Sequence, residues 1–220
     1  MLIDIPDLDE TSTRADHARV EVVRVRAARL GAVEQEDCVA EEVPVALEYN
    51  GISHATMLAT PADLEDFALG FSLTEGIGDG VPEGRGMDLR HEYAGIVVAL
   101  EISSACAMRL RERRRAMAGR TGCGLCGVET LPEVLRPVPA VADGPVAHIG
   151  AVLQAMRDMR ARQALHDLTG ATHAAGWADA QGRVALVRED VGRHNALDKT
   201  IGALARAGQD ATAGMMLVSS

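Results

Sequence analysis

An Asn-Gly pair between two apolar segments is the feature that most constrains the fold of this chain. Residues 43–49 and 52–58 are largely apolar, and Asn50 and Gly51 stand between them. Asn-Gly favours a type I′ turn because both central residues of that turn have positive φ. The segment therefore predicts a β-hairpin made of two neighbouring strands.

A helix is predicted directly after this hairpin. Thr60 is expected to cap it, and Pro61 suits the first helical position. Apolar residues recur with helical spacing and predict one buried stripe, made of Leu64, Phe67, Ala68 and Phe71. Gly76 is expected to end the helix, because glycine readily adopts the left-handed conformation found there. Residues 76–90 are rich in glycine and charge, which indicates a loop.

Strands and helices continue to the end of the sequence. Alternating or apolar segments predict strands over 20–26, 93–102, 172–177, 183–187 and 215–218. Helical spacing or composition predicts helices over 104–117, 147–164 and 190–208. The apolar positions of the second helix are Ile149, Val152, Leu153, Met156 and Met159, and those of the third are Leu197, Ile201, Leu204 and Ala205. Gly208 is expected to close the third helix.

A proline-rich connection over residues 131–139 indicates a boundary. The chain is divided accordingly into a flexible acidic arm (1–18), an N-terminal β/α part (19–135) and an α/β part (136–220). The N-terminal part ends in a loop that carries a pair of cysteines.

Composition excludes several classes of protein. Hydrophobic residues make up 47% of the chain and aromatic residues only 2%, so the core is expected to be aliphatic. A net charge of -10 argues against general binding to nucleic acid. The sequence begins with no basic segment followed by an apolar one, and it holds no apolar run long enough to cross a bilayer. The sequence therefore predicts a cytoplasmic protein without membrane spans.

The cysteine pair, Cys123 and Cys126, is the first candidate site. Glycine stands on the outer side of each thiol, and an arginine-rich segment over 109–120 precedes the pair. Four interpretations remain open. A zinc site needs a second ligand pair, which the sequence lacks, and a redox dithiol favours a helix N-terminus rather than a glycine-rich loop. A sulfur carrier needs a mobile thiol, and nearby arginines can stabilise the thiolate anion. The fourth possibility is an inert loop.

A second candidate site lies at a strand-to-helix junction. Ionisable residues are dense over 166–173 and again over 188–199. A helix N-terminus at this place offers unpaired N–H groups to a phosphate. The structural alternative is a capped helix with charged residues on its surface. The arginine-rich segment has two interpretations as well, a solvated helix face or a patch that holds an anionic ligand or partner.

Four segments together resemble the FdhD family, the sulfurtransferases required for formate dehydrogenase activity. They cover residues 42–51, 60–76, 113–127 and 187–199 and run in the order of the family across about residues 40–220. The resemblance implies a cytidine-deaminase-like three-layer sandwich of the mixed α/β class, with a mixed sheet, helices on both faces and an N-terminal β-rich part. The family continues beyond the counterpart of Ser220, so the α/β part is expected to be shortened at its C-terminus.

The resemblance also implies a function. Such a protein takes sulfur as a persulfide from a cysteine desulfurase and passes it to the molybdenum cofactor, in its bis(guanine dinucleotide) form, before insertion into the formate dehydrogenase apoprotein. Cys123 matches the persulfide-bearing cysteine of the family, and Cys126 matches the second of the pair. The family implies a homodimer and no permanently bound cofactor or metal. The residues expected to bind the acceptor cofactor are Arg120, Arg193, His194, Asn195 and Lys199.

The deaminase-like fold raises the question of deamination. Zinc deaminases use a His-x-Glu sequence followed downstream by a Cys-x-x-Cys pair. Here Ala175 stands where the glutamate that follows His173 would be, and the cysteine pair lies upstream. The sequence therefore lacks both the general acid/base and the metal ligands, and it argues against deamination.

Overall fold

A computed structural model of the chain describes residues 16–25, 32–78, 86–108, 110 and 143–219. Its first two strands, β1 (His17–Val25) and β2 (Ala32–Ala40), pair in antiparallel fashion. β1 confirms the predicted strand but begins earlier, so His17 and Ala18 belong to it rather than to the predicted arm. The sequence analysis missed β2, because acidic residues, which are depleted in strands, interrupt its apolar pattern. The first fifteen residues of the predicted arm lie outside the described residues.

The predicted hairpin is confirmed. Its strands are β3 (Val43–Tyr49) and β4 (Ile52–Ala59), which pair in antiparallel fashion. Asn50 has a φ of 50° and Gly51 a φ of 76°, so both turn residues adopt the positive φ values that a type I′ turn requires. Alternate residues of β3 are buried, which places one face of the hairpin on the core.

Two further strands complete a four-stranded sheet in the order β4-β3-β6-β5. β5 spans Met87–Glu92 and β6 spans Gly95–Leu100. The pairing of β3 with β6 is parallel and the other pairings are antiparallel, so the sheet is mixed. β5 corrects the loop predicted over 76–90. Its partly buried residues Met87 and Leu89 alternate with exposed polar residues, as in a strand with one face in water. Tyr93 lies in the β5–β6 turn, which makes β6 shorter than the predicted strand.

Helix α1 spans Leu64–Thr74, and its start corrects the prediction. Asp63 stands in the capping position with a φ of 53°, and its side chain makes no capping hydrogen bond. Thr60 is fully buried and caps nothing in α1, because its polar groups bind residues much later in the chain. The predicted end is confirmed: Gly76 has a φ of 61°, and N–H groups of residues 76 and 77 donate back to the last turn.

The first hydrophobic core lies between α1 and the four-stranded sheet. Leu64, Phe67 and Ala68 of the predicted stripe are buried, and Phe71 packs against them. Residues 104–108 are helical, and Leu110 joins the same core. The rest of the helix predicted over 104–117 lies outside the described residues.

The later elements form a second sheet flanked by helices. Its strands are β7 (His173–Asp179), β8 (Val184–Asp190) and β9 (Gly214–Val218), in the antiparallel order β8-β7-β9. The helices are α2 (Ile149–Arg160), α3 (Ala164–Thr169) and α4 (Arg193–Arg206), and a short 3₁₀ turn spans Ala211–Ala213. The three strands, α2 and α4 confirm predicted elements, with shorter helices than expected, whereas α3 was not predicted. Gly208 has a φ of 61° and follows the end of α4, as predicted.

The apolar stripe predicted for α2 is largely on the wrong face. Ala155 and Met159 are buried against the second sheet, together with Ala178, Val184 and Leu217. Ile149, Leu153 and Met156 are instead 65%, 52% and 37% exposed. Helical spacing identified the helix but could not identify which of its two partly apolar faces packs on the sheet.

Helices α1 and α4 approach each other unusually closely. Cβ atoms built on Gly70 and Gly202 would overlap the carbonyl oxygens of Asp198 and Asp66, respectively. The two backbones therefore touch, which only glycine at both positions permits. The buried face of α4 also carries the polar residues Asn195, Lys199 and Thr200, whereas Leu197 and Ile201 of its predicted stripe are only partly buried.

The described elements confirm a mixed α/β fold with a mixed sheet. The predicted boundary between residues 135 and 136 lies outside the described residues, and α1 and α4 join the two predicted parts. Among the described helices, none combines the length and hydropathy needed to cross a bilayer.

Candidate functional site at the N-terminus of α4

The carboxylate of Asp190 is the centre of the strand-to-helix junction. Asp190 ends β8 and is completely buried. Its Oδ1 accepts hydrogen bonds from the N–H of Gly192 at 2.8 Å and from Nδ2 of Asn195 at 2.9 Å. Its Oδ2 accepts the N–H of Thr60 at 3.0 Å and lies 2.7 Å from Nζ of Lys199. One side chain thus ties the end of β8, the start of α4 and the end of β4 together.

Lys199 balances this buried charge. Its side chain is fully buried, and its Nζ also donates to the carbonyl oxygens of Thr60 at 3.0 Å and Glu189 at 3.4 Å. The three N–H bonds of the ammonium group therefore have three protein oxygens to bind. A buried ion pair requires such additional hydrogen bonds, because removing both charges from water is costly.

Asn195 is also directed inwards. Besides Asp190, its Nδ2 binds the carbonyl oxygen of Leu58 at 2.8 Å, and the residue is buried. Asn195 and Lys199 were both expected to bind the cofactor. In the structure, their polar groups bind Asp190 and so hold the junction together. Direct contact between either side chain and a cofactor stays a prediction.

Arg193 and His194, by contrast, are exposed. They are the first two residues of α4, which is 14 residues long and begins after Gly192. The helix dipole and the N–H groups of the first turn favour anions at this end. Both side chains are therefore placed where a phosphate group would be attracted, and their role as cofactor ligands stays a prediction.

A second buried carboxylate fixes α1 against this junction. Nε and Nη2 of Arg188 donate to Oδ2 of Asp66 at 2.9 and 2.7 Å, and Nε of Arg206 lies 3.2 Å from its Oδ1. Asp66 is 1% exposed. Sequence reasoning missed Asp66 and misassigned Thr60. No local pattern identifies either one, because their partners lie more than a hundred residues further along the chain.

Asp198 has an unusual protonation behaviour for a residue next to this junction. Burial raises the pKa of its carboxyl group to about 6, and the nearby carboxylate of Glu75 acts in the same direction. The hydroxyl of Thr74 donates to Oδ1 of Asp198 at 3.0 Å and partly opposes this shift. Asp198 therefore titrates closer to neutral pH than an ordinary aspartate does.

The predicted cysteine site, Cys123 and Cys126, lies outside the described residues, as does Arg120. The other two cysteines, Cys38 and Cys106, are partly buried, and Cys106 packs against the first hydrophobic core. Within the part of the chain that the structure describes, no group of three or more His, Cys, Asp or Glu side chains is arranged to hold a metal ion.

The chain is similar to proteins of known family along most of its length. Residues 40–220 match the model of the FdhD/NarQ family. The sulfur carrier protein FdhD of Bordetella petrii is 69% identical over 208 residues, which cover 94% of this chain and 75% of that protein. The protein of the same name from Variovorax paradoxus is 53% identical over 201 residues, or 91% of this chain and 72% of that protein.

A solved structure supports the fold. The crystal structure of a protein described as a formate dehydrogenase accessory protein, from Desulfotalea psychrophila, superposes with a TM-score of 0.65 at 20% identity. The superposition covers 94% of this chain and 75% of that one. The family model spans most of the sequence, and the curated relatives are more than half identical over nearly the whole chain. The chain therefore belongs to the FdhD/NarQ family.

Proposed function

We propose that this protein is a sulfur carrier that accepts sulfur as a cysteine persulfide and delivers it to the molybdenum cofactor used by formate dehydrogenase. One observation carries the proposal. The match to the FdhD/NarQ family extends over residues 40–220, a range that includes Cys123 and Cys126, and close relatives bear the name sulfur carrier protein. In this proposal the cofactor, in its bis(guanine dinucleotide) form, is a substrate rather than a permanently bound group.

The acceptance step is an ordinary thiol exchange. The thiolate of Cys123 attacks the terminal sulfur of a persulfide on a cysteine desulfurase, the sulfur–sulfur bond breaks, and the thiolate of the desulfurase leaves. Cys123 then carries the sulfur, and no external oxidant or reductant is consumed. The arginines of the segment over 109–120 stabilise the persulfide anion by their charge. Cys126 provides a second thiol three positions later in the sequence.

The junction at the start of α4 is proposed to hold the cofactor. Its guanine dinucleotide groups carry pyrophosphates, which suit the exposed Arg193 and His194 at a helix N-terminus. Arg120 adds positive charge from the cysteine segment. Asn195 and Lys199 serve the same site indirectly, because they fix the end of β8 against the start of α4.

The partners follow from this chemistry. A cysteine desulfurase supplies the sulfur, and the formate dehydrogenase apoprotein receives the sulfurated cofactor. We propose that the carrier acts in the cytoplasm as a homodimer. Nucleic acid is not proposed as a partner, since the net charge is -10.

The acceptance step is tested by mass spectrometry of the intact protein after incubation with a cysteine desulfurase and cysteine. The wild-type chain is expected to gain about 32 Da for each sulfur atom accepted through exchange, and Cys123→Ala is expected to lose this gain. Cys38→Ala and Cys106→Ala are matched controls, because each removes one partly buried thiol and should leave the gain intact. A wild-type chain that stays unmodified would refute the proposal.

A chaperone that binds cofactor or apoenzyme without thiol chemistry is the main competing function. Complementation in a cell deleted for the native gene separates the two. A sulfur carrier loses formate dehydrogenase activity when Cys123 becomes alanine, whereas a chaperone retains it. The wild-type chain and Cys106→Ala serve as positive controls in the same cells.

A further inference from the structure

A cleft separate from the cofactor residues predicted above lies at the end of α2. It has a volume of about 400 Å³ and lies between α2, α3, the start of β7 and Ser219. We call it the α2–α3 cleft. The side chains that matter to the argument are Arg160, Gln163, His166, His173 and Ser219.

Within the part of the chain that the structure describes, the side-chain amide of Gln163 has no hydrogen-bond partner. Gln163 is 2% exposed and lines the cleft. Among the described residues, none makes a hydrogen bond to its side-chain amide, whereas its backbone N–H and carbonyl groups are both bonded. The amide atoms reach the open space of the cleft, so they need no protein partner. The amide of Gln163 is therefore available to a ligand in the cleft.

Two other groups in the lining are held in place by the backbone. Nδ1 of His166 donates to the carbonyl oxygen of Thr172 at 2.7 Å, which fixes the orientation of the ring. Oγ of Ser219 accepts the N–H of Ala174 at 2.7 Å, so its own hydroxyl proton remains to be donated elsewhere. Both groups are prepared before any ligand arrives, which lowers the entropic cost of binding.

Acidic groups near the cleft are already engaged. Glu189 accepts hydrogen bonds from the N–H groups of Leu165 and His166, at 2.9 and 2.8 Å, and from the hydroxyl of Thr172 at 3.0 Å. Asp167 binds Nη1 of Arg160 at 2.5 Å. Arg160 keeps its remaining N–H groups, and these donors suit an anion together with the amide N–H groups of Gln163 and the hydroxyl of Ser219. Nε2 of a neutral His166 is an acceptor in the same lining.

We propose that the α2–α3 cleft binds a phosphate monoester. Arg160, Gln163 and Ser219 provide donors for the phosphate oxygens, and His173 lines the same cleft. A volume of about 400 Å³ lies within the range of small-molecule sites and leaves room for an organic group beside the phosphate. The proposal does not depend on the sulfur-carrier function, because no step of it involves Cys123 or Cys126.

Calorimetric titration of the full chain with adenosine monophosphate tests this site, with adenosine as the uncharged comparison. Adenosine monophosphate is expected to bind at least about tenfold more tightly than adenosine, and inorganic phosphate is expected to compete with it. Arg160→Gln and Gln163→Leu are each expected to weaken binding of the phosphate monoester by about tenfold. Arg157→Gln is the matched control: Arg157 lies one turn earlier on α2, binds Gln154 and does not line the cleft.

Equal affinity for the two probes, or the absence of binding by both, would overturn the proposal. So would unchanged binding in Arg160→Gln, whose fold is checked by circular dichroism. If Arg160→Gln does not fold, Gln163→Leu decides by the same criterion, and Ser219→Ala follows if that variant also fails. Cys123→Ala should bind adenosine monophosphate like the wild type, so a failure of the sulfur-carrier proposal and a failure of this one give different results.

Discussion

The two long helices of the second predicted part contact their neighbours in opposite ways. α4 touches α1 through the backbone at Gly70 and Gly202, and a buried ion pair crosses from Lys199 to Asp190. α2 contacts its sheet mainly through the buried side chains of Ala155 and Met159. The first contact admits one geometry, since both glycines and all the hydrogen bonds must fit together. The second is ordinary apolar packing and tolerates variation.

The more rigid packing belongs to the helix that carries the candidate cofactor residues. The hydrogen bonds of Asp190 hold the start of α4, where Arg193 and His194 stand at the surface. Replacing a buried ion pair by apolar residues often costs no stability, so such pairs are poor evidence for a stabilising role. The role of the pair between Lys199 and Asp190 is therefore to fix the position of the end of β8 relative to the start of α4.

The largest effect is expected from breaking the ion pair. Lys199→Met leaves the buried carboxylate of Asp190 without its counter-charge, although three other groups still donate to it. The free energy of unfolding should fall by about 3–5 kcal/mol, which urea denaturation measures. Arg157→Met, on the exposed face of α2, is the control and should change the free energy of unfolding by less than about 0.5 kcal/mol. A loss below about 1 kcal/mol for Lys199→Met would mean that the pair does not hold the junction.

The next largest effect tests the close approach of α1 and α4. Gly202→Ala introduces a methyl group that overlaps the carbonyl oxygen of Asp66, so the helices must separate. A loss of about 3 kcal/mol is expected, measured by thermal or urea unfolding. Gly150→Ala in α2 is the matched control: its new methyl group would meet only the side chain of His148, at 3.2 Å. That control should change stability by about 1 kcal/mol at most, because alanine also favours the helix. Equal losses for both variants would remove the distinction between the two contacts.

These two contacts also mark the limit of what the sequence could predict. Asn50-Gly51, Gly76 and Gly208 encode their turns and helix ends locally, and all three predictions are confirmed. Apolar spacing found α1, α2, α4 and most strands, but it did not find the short helix α3. β2 was missed because pairing with β1 outweighs its acidic composition. The buried face of α2 was misassigned because both faces carry apolar residues, and only the position of the sheet decides between them.

The candidate site shows the same division. The sequence placed a strand-to-helix junction at residues 188–199, and the structure confirms one there. It could not show that Asn195 and Lys199 point inwards. Their partners include Leu58 and Thr60, which lie far away in the sequence. Thr60 followed by Pro61 is a sequence typical of a helix start. In the structure, however, the N–H of Thr60 donates to the carboxylate of Asp190.

A smaller effect is expected from Asp198, which lies on α4 within the rigid contact. Its pKa rises from 3.8 in the unfolded chain to about 6 in the fold, mainly through burial. The folded state therefore binds the proton more tightly, and stability from this residue is full below about pH 4 and lost as the pH rises through 6. Asp198→Asn should remove this dependence and stabilise the protein at pH 7 by about 1 kcal/mol, the full shift being discounted for partial exposure.

Asp210 provides the control of opposite sign for this pH dependence. Hydrogen bonds from the hydroxyl and N–H of Thr212 lower the pKa of its carboxyl group. Its contribution to stability is therefore present at neutral pH and is lost as the pH falls through its folded pKa. Urea denaturation of Asp198→Asn and Asp210→Asn between about pH 2 and about pH 8, a range that covers raised and lowered carboxyl pKa values, measures the two slopes. A pH profile in Asp198→Asn that matches the wild type would contradict the assignment.

The smallest effect is expected on the outer face of α2, and it tests whether that face is exposed in solution. Leu153 is 52% exposed, so Leu153→Gln should change the free energy of unfolding by less than about 0.5 kcal/mol. Met159→Ala, on the buried face of the same helix, should cost about 2–5 kcal/mol. Urea denaturation of both variants measures the two losses in the free energy of unfolding. If Leu153→Gln cost more than about 1.5 kcal/mol, Leu153 would be covered in solution, and α2 would be held on both faces rather than by the sheet alone.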